Sequence, residues 1–206
     1  YFALAQGFDK DVANSVSDHY LPTGLTSVLP KKPFSYSISI VDKIDTLVGF
    51  FIIDEKPTSS KDPFALRRAA IGLLRIIIEN KLSFKLRDLI SYAIRLYQEQ
   101  GVEIKNEKAE QQVLEFIKER MRNVLKLKNI KTDVIEASIS SHAGDNFLAL
   151  YAKTLLMNKY KNKGIGLNAI NSYKRASNIL DKAGKRITGR PDAVLFRKNE
   201  EKILHE

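Results

Sequence analysis

Along most of the chain apolar residues recur every third or fourth position, the period of a helix that buries one face, and Gly and Pro fall mainly at the joints. An amphipathic stretch at 9–17 ends before His19-Tyr20-Leu21-Pro22, where the proline ring forces Leu21 out of helical geometry. Over 34–53, Tyr36, Ile40, Ile44, Leu47, Val48 and Phe51 return at spacings that predict a long helix with a broad buried face. Asp62-Pro63 predicts the next start: the carboxylate can accept free first-turn N–H groups, and proline at the first helical position needs none. That helix runs to about residue 80 on a core stripe of Leu66, Ala69, Ala70, Leu73, Leu74, Ile77 and Ile78, with Arg75 one turn before Glu79 and able to pair with it. Another covers 84–100 and stops at Gly101. Residues 101–108 are polar and aperiodic. Beyond them Val113, Ile117, Met121, Val124 and Leu125 mark a helix, followed by a short one to 140 and longer ones over 146–160 and 167–183. A last one follows Pro191. The pattern predicts an all-α fold of two helical units, residues 1–105 and 106–206.

Composition narrows the chemistry. The 206 residues include no cysteine, which excludes disulfides, thiolate metal sites and a cysteine nucleophile, and three scattered histidines (His19, His142, His205) argue against an imidazole-built metal centre. The longest apolar runs fall well short of the ~20 residues of a membrane span. Tyr1 opens the chain without the basic-then-apolar order of a signal peptide, so the expectation is a piece of a longer, cytoplasmic protein. The net charge of +10 is local: between residues 153 and 198 twelve Lys and Arg stand against two acids, Asp181 and Asp192, which accounts for the whole excess. Binding to a polyanion belongs in that quarter of the chain.

Three ordered motifs resemble one family. Val41-Asp-Lys-Ile-Asp-Thr-Leu-Val-Gly-Phe50 with Lys56-Pro-Thr-Ser-Ser-Lys-Asp-Pro-Phe-Ala-Leu-Arg-Arg-Ala-Ala70, the upstream His19-Tyr-Leu-Pro22 and the later Tyr173-Lys-Arg-Ala-Ser-Asn-Ile-Leu180 are similar to the beta subunit of bacterial heterotetrameric glycyl-tRNA synthetases. The departures are local: Lys43 where the family often has Arg, Ser59-Ser60 in a stretch that usually contains Gly, and Tyr173 where Asn is common. The resemblance implies that residues 1–105 form the later part of an HD-like helical domain with its connector, and that residues 106–206 form a truncated, DALR-like anticodon-binding tail. It also implies tRNA(Gly) and the alpha subunit as partners in an alpha2-beta2 tetramer, with no membrane or DNA partner. Glycine, ATP and magnesium would be handled by the alpha subunit, leaving no catalytic residue, metal or cofactor here.

Within that frame the RNA-binding expectation falls on the tail. Lys174, Arg175 and Asn178 lie within about one helical turn, and Asn171 precedes Lys174 by three, so cations and amides share the outer side of one helix. Arg175 can stack on an unpaired base, Asn171 and Asn178 can bond base edges, and Lys163, Lys174, Lys182 and Lys185 can meet phosphates. Ile170, Ala176, Ile179, Leu180 and Ala183 are expected to pack inward, and Tyr173 to stack or to pack. Arg67 and Arg68 after the Asp62-Pro63 start could hold an RNA phosphate; bridging of packed helices by Arg68, Arg75, Glu79 and Asp45 is the favoured reading. The alternative activity is that of a metal-dependent HD-type phosphohydrolase built on Asp42 and Asp45. No His-Asp pair supports it: His19 stands in the reversed order Asp18-His19.

Overall fold

Runs with a three-to-four apolar repeat and few internal Gly or Pro have one way to bury their stripe while bonding their backbone, and that is as packed helices. The computed structural model describes residues 2–24, 26–58, 60–142, 144–161 and 163–183, and every regular element among them is helical, as the pattern predicts. In order these are α1 (Phe2–Ala5), α2 (Lys10–Asp18), α3 (Pro33–Ile52), α4 (Leu66–Glu79), α5 (Leu86–Glu99), α6 (Ala109–Leu127), α7 (Thr132–Ser140), α8 (Phe147–Tyr160) and α9 (Gly164–Ala183).

Packing divides the chain into two compact units, Tyr1–Lys159 and Tyr160–Glu206. The division expected at 105/106 therefore lies inside the first unit. Helix α6 packs on α3, α4 and α5, and its Val113, Ile117, Met121 and Leu125 share one core with Leu47 and Ile52 of α3 and with Leu73, Leu74 and Ile76 of α4. Each of these buried side chains contributes about 1.5–3 kcal/mol of apolar burial. Residues 101–108 resemble a linker in sequence because their polar groups are spent locally. The N–H groups of Lys105 and Asn106 donate to the Ile52 carbonyl at 2.9 and 3.1 Å, and the Asn106 amide donates to the Phe51 carbonyl at 2.9 Å. The stretch caps the open carbonyls at the end of α3. Between α6 and α7, Arg122 holds Glu136 through two bonds, 2.9 and 3.0 Å.

The first half of α3 buries polar groups. Ser35, Ser39 and Lys43, one turn apart in succession, all face inward. The Ser35 hydroxyl donates to Asp18 (2.8 Å), the Ser39 hydroxyl to the Leu21 carbonyl (2.5 Å), and the Lys43 ammonium to the His19 carbonyl (3.1 Å) and to Ser39 Oγ (2.8 Å). This row fastens the His19–Pro22 turn, whose Leu21–Pro22 peptide is cis. Gly72 of α4 leaves the space: a Cβ there would stand 3.1 Å from Lys43 Cε and 3.3 Å from Pro22 Cγ. The connector that follows is tied down by Arg75, which donates to the carbonyls of Gly24 (2.6 Å) and Ser27 (2.9 Å). The expected Arg75–Glu79 pair does not form; Glu79 takes Lys128 at 3.3 Å instead. Unpaired loop carbonyls draw the guanidinium more strongly than an exposed carboxylate one turn away.

At the other end of α3, Gly49 admits Tyr97 of α5, whose hydroxyl lies 2.7 Å from where a Cβ would be and donates to the Asp45 carbonyl at 3.3 Å. Burial pushes the Lys43 ammonium below the ordinary lysine value of 10.5, while burial and the adjacent Asp45 push the Tyr97 phenol up to about 12. The fold thus disfavours protonated Lys43 and favours protonated Tyr97. Stability rises with pH across the window below 10.5 through Lys43, and through Tyr97 it falls from the ordinary tyrosine value of 10.0 as pH approaches 12. Urea unfolding followed along an alkaline pH series is expected to lose the rise in Lys43→Met and the fall in Tyr97→Phe; unchanged profiles would contradict these burials.

Candidate nucleic-acid interface

Helix α9 is continuous over 20 residues, so residue spacing converts directly into direction. Asn171, Arg175, Asn178 and Lys182 follow at intervals of four, three and four and form one row along the helix, flanked by Lys174. All five are exposed. Lys163 stands just before the helix, accepts the Leu167 N–H through its carbonyl at 2.9 Å, and carries its ammonium 5.3 Å from the centre of the Tyr160 ring. Tyr173 is 74% exposed and points roughly half a turn away from Arg175. Ile170, Ile179 and Leu180 do not pack inward as expected, and neither does Ala176: all four are exposed, Ile179 at 68%. Periodicity fixes which residues share a face; whether anything covers that face is a separate matter. Lys185 and the helix expected after Pro191 lie outside the described residues, as does the side chain of Ala183.

The second basic locus is the start of α4. Asp62 accepts the N–H groups of Leu66 (2.9 Å) and Arg67 (3.0 Å), as the sequence predicts. Pro63, however, is not the first helical residue. Pro63 and Phe64 turn, Phe64 stacks on Phe50 at 4.0 Å, Ala65 takes a left-handed φ of 55°, and the helix begins at Leu66. The Arg67 guanidinium donates to the Thr58 carbonyl and lies 3.9 Å from Asp62. A phosphate arriving here would meet a carboxylate already seated on the N–H groups it needs. Arg67 is thereby a loop fastener, whereas exposed Arg68 borders two adjoining hollows of about 310 and 560 Å³ with Thr23 and Ala65. Nothing in the sequence pattern singles out Arg120. Its guanidinium lies over the Phe116 ring at 4.7 Å, its Nε is buried without a hydrogen-bond partner among the described residues, and burial together with nearby Arg67 weakens its hold on its proton. Only the fold brings these arginines together from α4 and α6.

The phosphohydrolase reading finds no support in this geometry. His19 lies against the Tyr20 ring at 3.9 Å and offers Lys43 its carbonyl, and among the described residues no three His, Asp or Glu side chains converge.

The sequence profile of the glycyl-tRNA synthetase beta subunit matches residues 1–140. The chain belongs to the glycyl-tRNA synthetase beta subunit family. Members of this family extend the likeness into the tail. The glycine–tRNA ligase beta subunit of Rickettsia canadensis (strain McKiel) is 39% identical over 204 residues, 99% of this chain and 29% of the relative. Those of Ruegeria sp. (strain TM1040) and Rhodospirillum centenum (strain ATCC 51521 / SW) are each 36% identical, over 89% and 95% of this chain and 25% and 26% of their own length. The chain thus spans less than a third of the beta subunits it matches. The stretch 56–70 singled out in the sequence contains the α4 start just described, where Asp62 serves as the cap and Arg67 fastens the loop. No helix among the described residues is long and apolar enough to cross a membrane.

Removing the carboxylate that seats α4 is expected to cost about 1–2 kcal/mol in Asp62→Ala, whereas Arg68→Ala, on an exposed side chain, is expected to stay within about 0.5 kcal/mol of wild type. Urea denaturation of both variants checks this; a large loss in Arg68→Ala would mean that it bridges helices.

Proposed function

We propose that this chain is part of the tRNA-recognition apparatus of a glycine–tRNA ligase beta subunit, binding tRNA(Gly) through the basic side of α9. Single-stranded loop nucleotides meet a row in which Arg175 stacks on a base, Asn171 and Asn178 bond base edges, and Lys163, Lys174, Lys182 and Lys185 hold phosphates. Glycine, ATP and magnesium belong to the alpha subunit, with which the beta subunit assembles as alpha2-beta2 in the cytoplasm. The chain contributes no reactive group. It raises the rate for the correct tRNA by holding that tRNA where the distant site can use it, which is differential binding.

The observation that supports this most is the position of the chain's charge excess: all of it lies between residues 153 and 198, the stretch that contains α9, whose Lys174, Arg175 and Lys182 are exposed. An excess of that size in one quarter of a chain exceeds what solubility asks of a surface, and helix-end lysines favoured by the dipole account for only a few of the cations. Family membership makes tRNA the polyanion to test.

In the assembled enzyme, Lys174→Ala combined with Arg175→Ala is expected to weaken binding of tRNA(Gly) and to flatten the plot of log affinity against log salt by about 0.7 for each phosphate no longer held. Asp42→Ala is expected to change neither. Filter binding at several salt concentrations decides it, and equal affinity and slope for the wild type and the double variant would remove the assignment.

A further inference from the structure

Arg120 of α6 is held in place without being bonded. Its guanidinium lies 4.7 Å over the Phe116 ring, and Phe116 packs in turn on Phe51 of the core, so the group is fixed before any partner arrives. Its Nε is buried with no acceptor, and the whole group makes no hydrogen bond or ion pair among the described residues. The acid next to it in the chain, Glu119, is spent on Arg122 at 2.5 Å. What reaches Arg120 from α4 is a like charge: burial, and then Arg67, weaken its hold on its proton. Asp62 offsets this only in part, being seated on the N–H groups of Leu66 and Arg67. A guanidinium partly out of water, with an aromatic ring and a like charge beside it, is costly until an anion joins it, and unsatisfied donors of this kind persist in native proteins where something outside the chain completes them. The surroundings are cationic as well. Exposed Arg68 borders, with Arg67, the hollow of about 560 Å³ and has no ion pair among the described residues. Lys61, also exposed, stands in the turn whose Thr58 carbonyl fastens Arg67.

We propose that Arg120 and Arg67 clamp a backbone phosphate of the bound tRNA, with Arg68 and Lys61 against the phosphates beside it. This is a second RNA contact, carried by the first unit, and it rests on the tRNA reading above. The N–H groups that open α4 take no part, because Asp62 already occupies them. The arginine side chains supply the site. Arg120 offers a flat fork of donors pre-set by its stack on Phe116, the geometry that holds two phosphate oxygens at once. Arg67 keeps Thr58 through one outer nitrogen, while the other, 3.9 Å from Asp62 and beyond hydrogen-bond distance, can bond the anion. A phosphodiester chain brings an anion to each of these cations in succession, whereas an acidic side chain brings one. Contacts to phosphates alone carry no sequence information, so this site adds affinity and orientation, and selection among tRNAs stays with α9.

The test titrates the assembled enzyme carrying Arg120→Gln with tRNA(Gly) and with an unrelated tRNA at several salt concentrations, beside the wild type and the Lys174→Ala, Arg175→Ala double variant. Arg120→Gln is expected to weaken both tRNAs by a similar factor, about tenfold, the worth of one charge-assisted contact. It is also expected to flatten the salt slope by about 0.7 to 0.9 and to leave the melting temperature unchanged, since no bond within the protein is lost. Arg120→Lys is expected to restore the slope and only part of the affinity, a point charge having replaced the fork. Unchanged affinity and slope in Arg120→Gln would overturn the proposal, and the tRNA reading would survive it if the α9 double variant flattens the slope in the same series. Unchanged slopes in both variants, with the wild type still binding, would remove both. A lower melting temperature with tRNA binding intact would make Arg120 a packing residue, and a loss confined to tRNA(Gly) would mean a base contact; either result contradicts a phosphate clamp.

Discussion

An ammonium group inside a protein must be surrounded by acceptors, and Lys43 finds only neutral ones, the His19 carbonyl and the Ser39 hydroxyl. Much of the first unit is arranged around that requirement. The His19–Pro22 turn is brought to α3 because its carbonyls are needed there, and Ser39 is buried because it relays between Lys43 and Leu21. Position 72 of α4 carries no side chain because the lysine stem and Pro22 fill the space. The connector beyond Pro22 is held by Arg75 through its own carbonyls. The same helix half packs Tyr36 and Ile40 against the core and leaves Phe34, Ile38 and Val41 exposed.

Each unit has a surface of its own chemistry. The outer side of α3 exposes Phe34, Ile38 and Val41 among Ser37, Asp42 and Asp45. The row on α9 is cationic and carries amides, suited to an anionic partner that arrives and leaves. Salt discriminates them in principle, since phosphate contacts weaken as counterions compete and apolar contacts do not. In the proposed role the subunit accelerates no bond-making step itself. Its contribution is to bind one tRNA in one orientation, and strength of binding matters only as far as it fixes that orientation.

Helix periodicity made the core of α3, α4 and α6 legible, because Leu47, Leu73 and Ile117 sit in strict three-to-four patterns that only a packed bundle satisfies. The place of the boundary was not legible. Residues 101–108 are polar and aperiodic like a linker, and nothing in sequence says that Asn106 reaches the carbonyls ending α3. Asp62 was readable as a cap because its chemistry is local, whereas the left-handed Ala65 that delays the helix is dictated by the packing of Phe64 on Phe50. Arg120 was not readable, since its neighbours Phe116 and Arg67 meet only through the contact of α6 with α4. On α9 the row Asn171–Arg175–Asn178–Lys182 was legible from spacing alone, while the exposure of Ile179 and Leu180 depends on what does or does not lie against them.

The most direct measurement is ultraviolet crosslinking of the assembled enzyme to tRNA(Gly) from a photoreactive residue placed at Asn178. Crosslinks from Asn178 that map to single-stranded loop nucleotides are the expected result. Efficient crosslinking from a photoreactive residue at Arg68 with none from Asn178 would place the RNA on the first unit and contradict the assignment to α9.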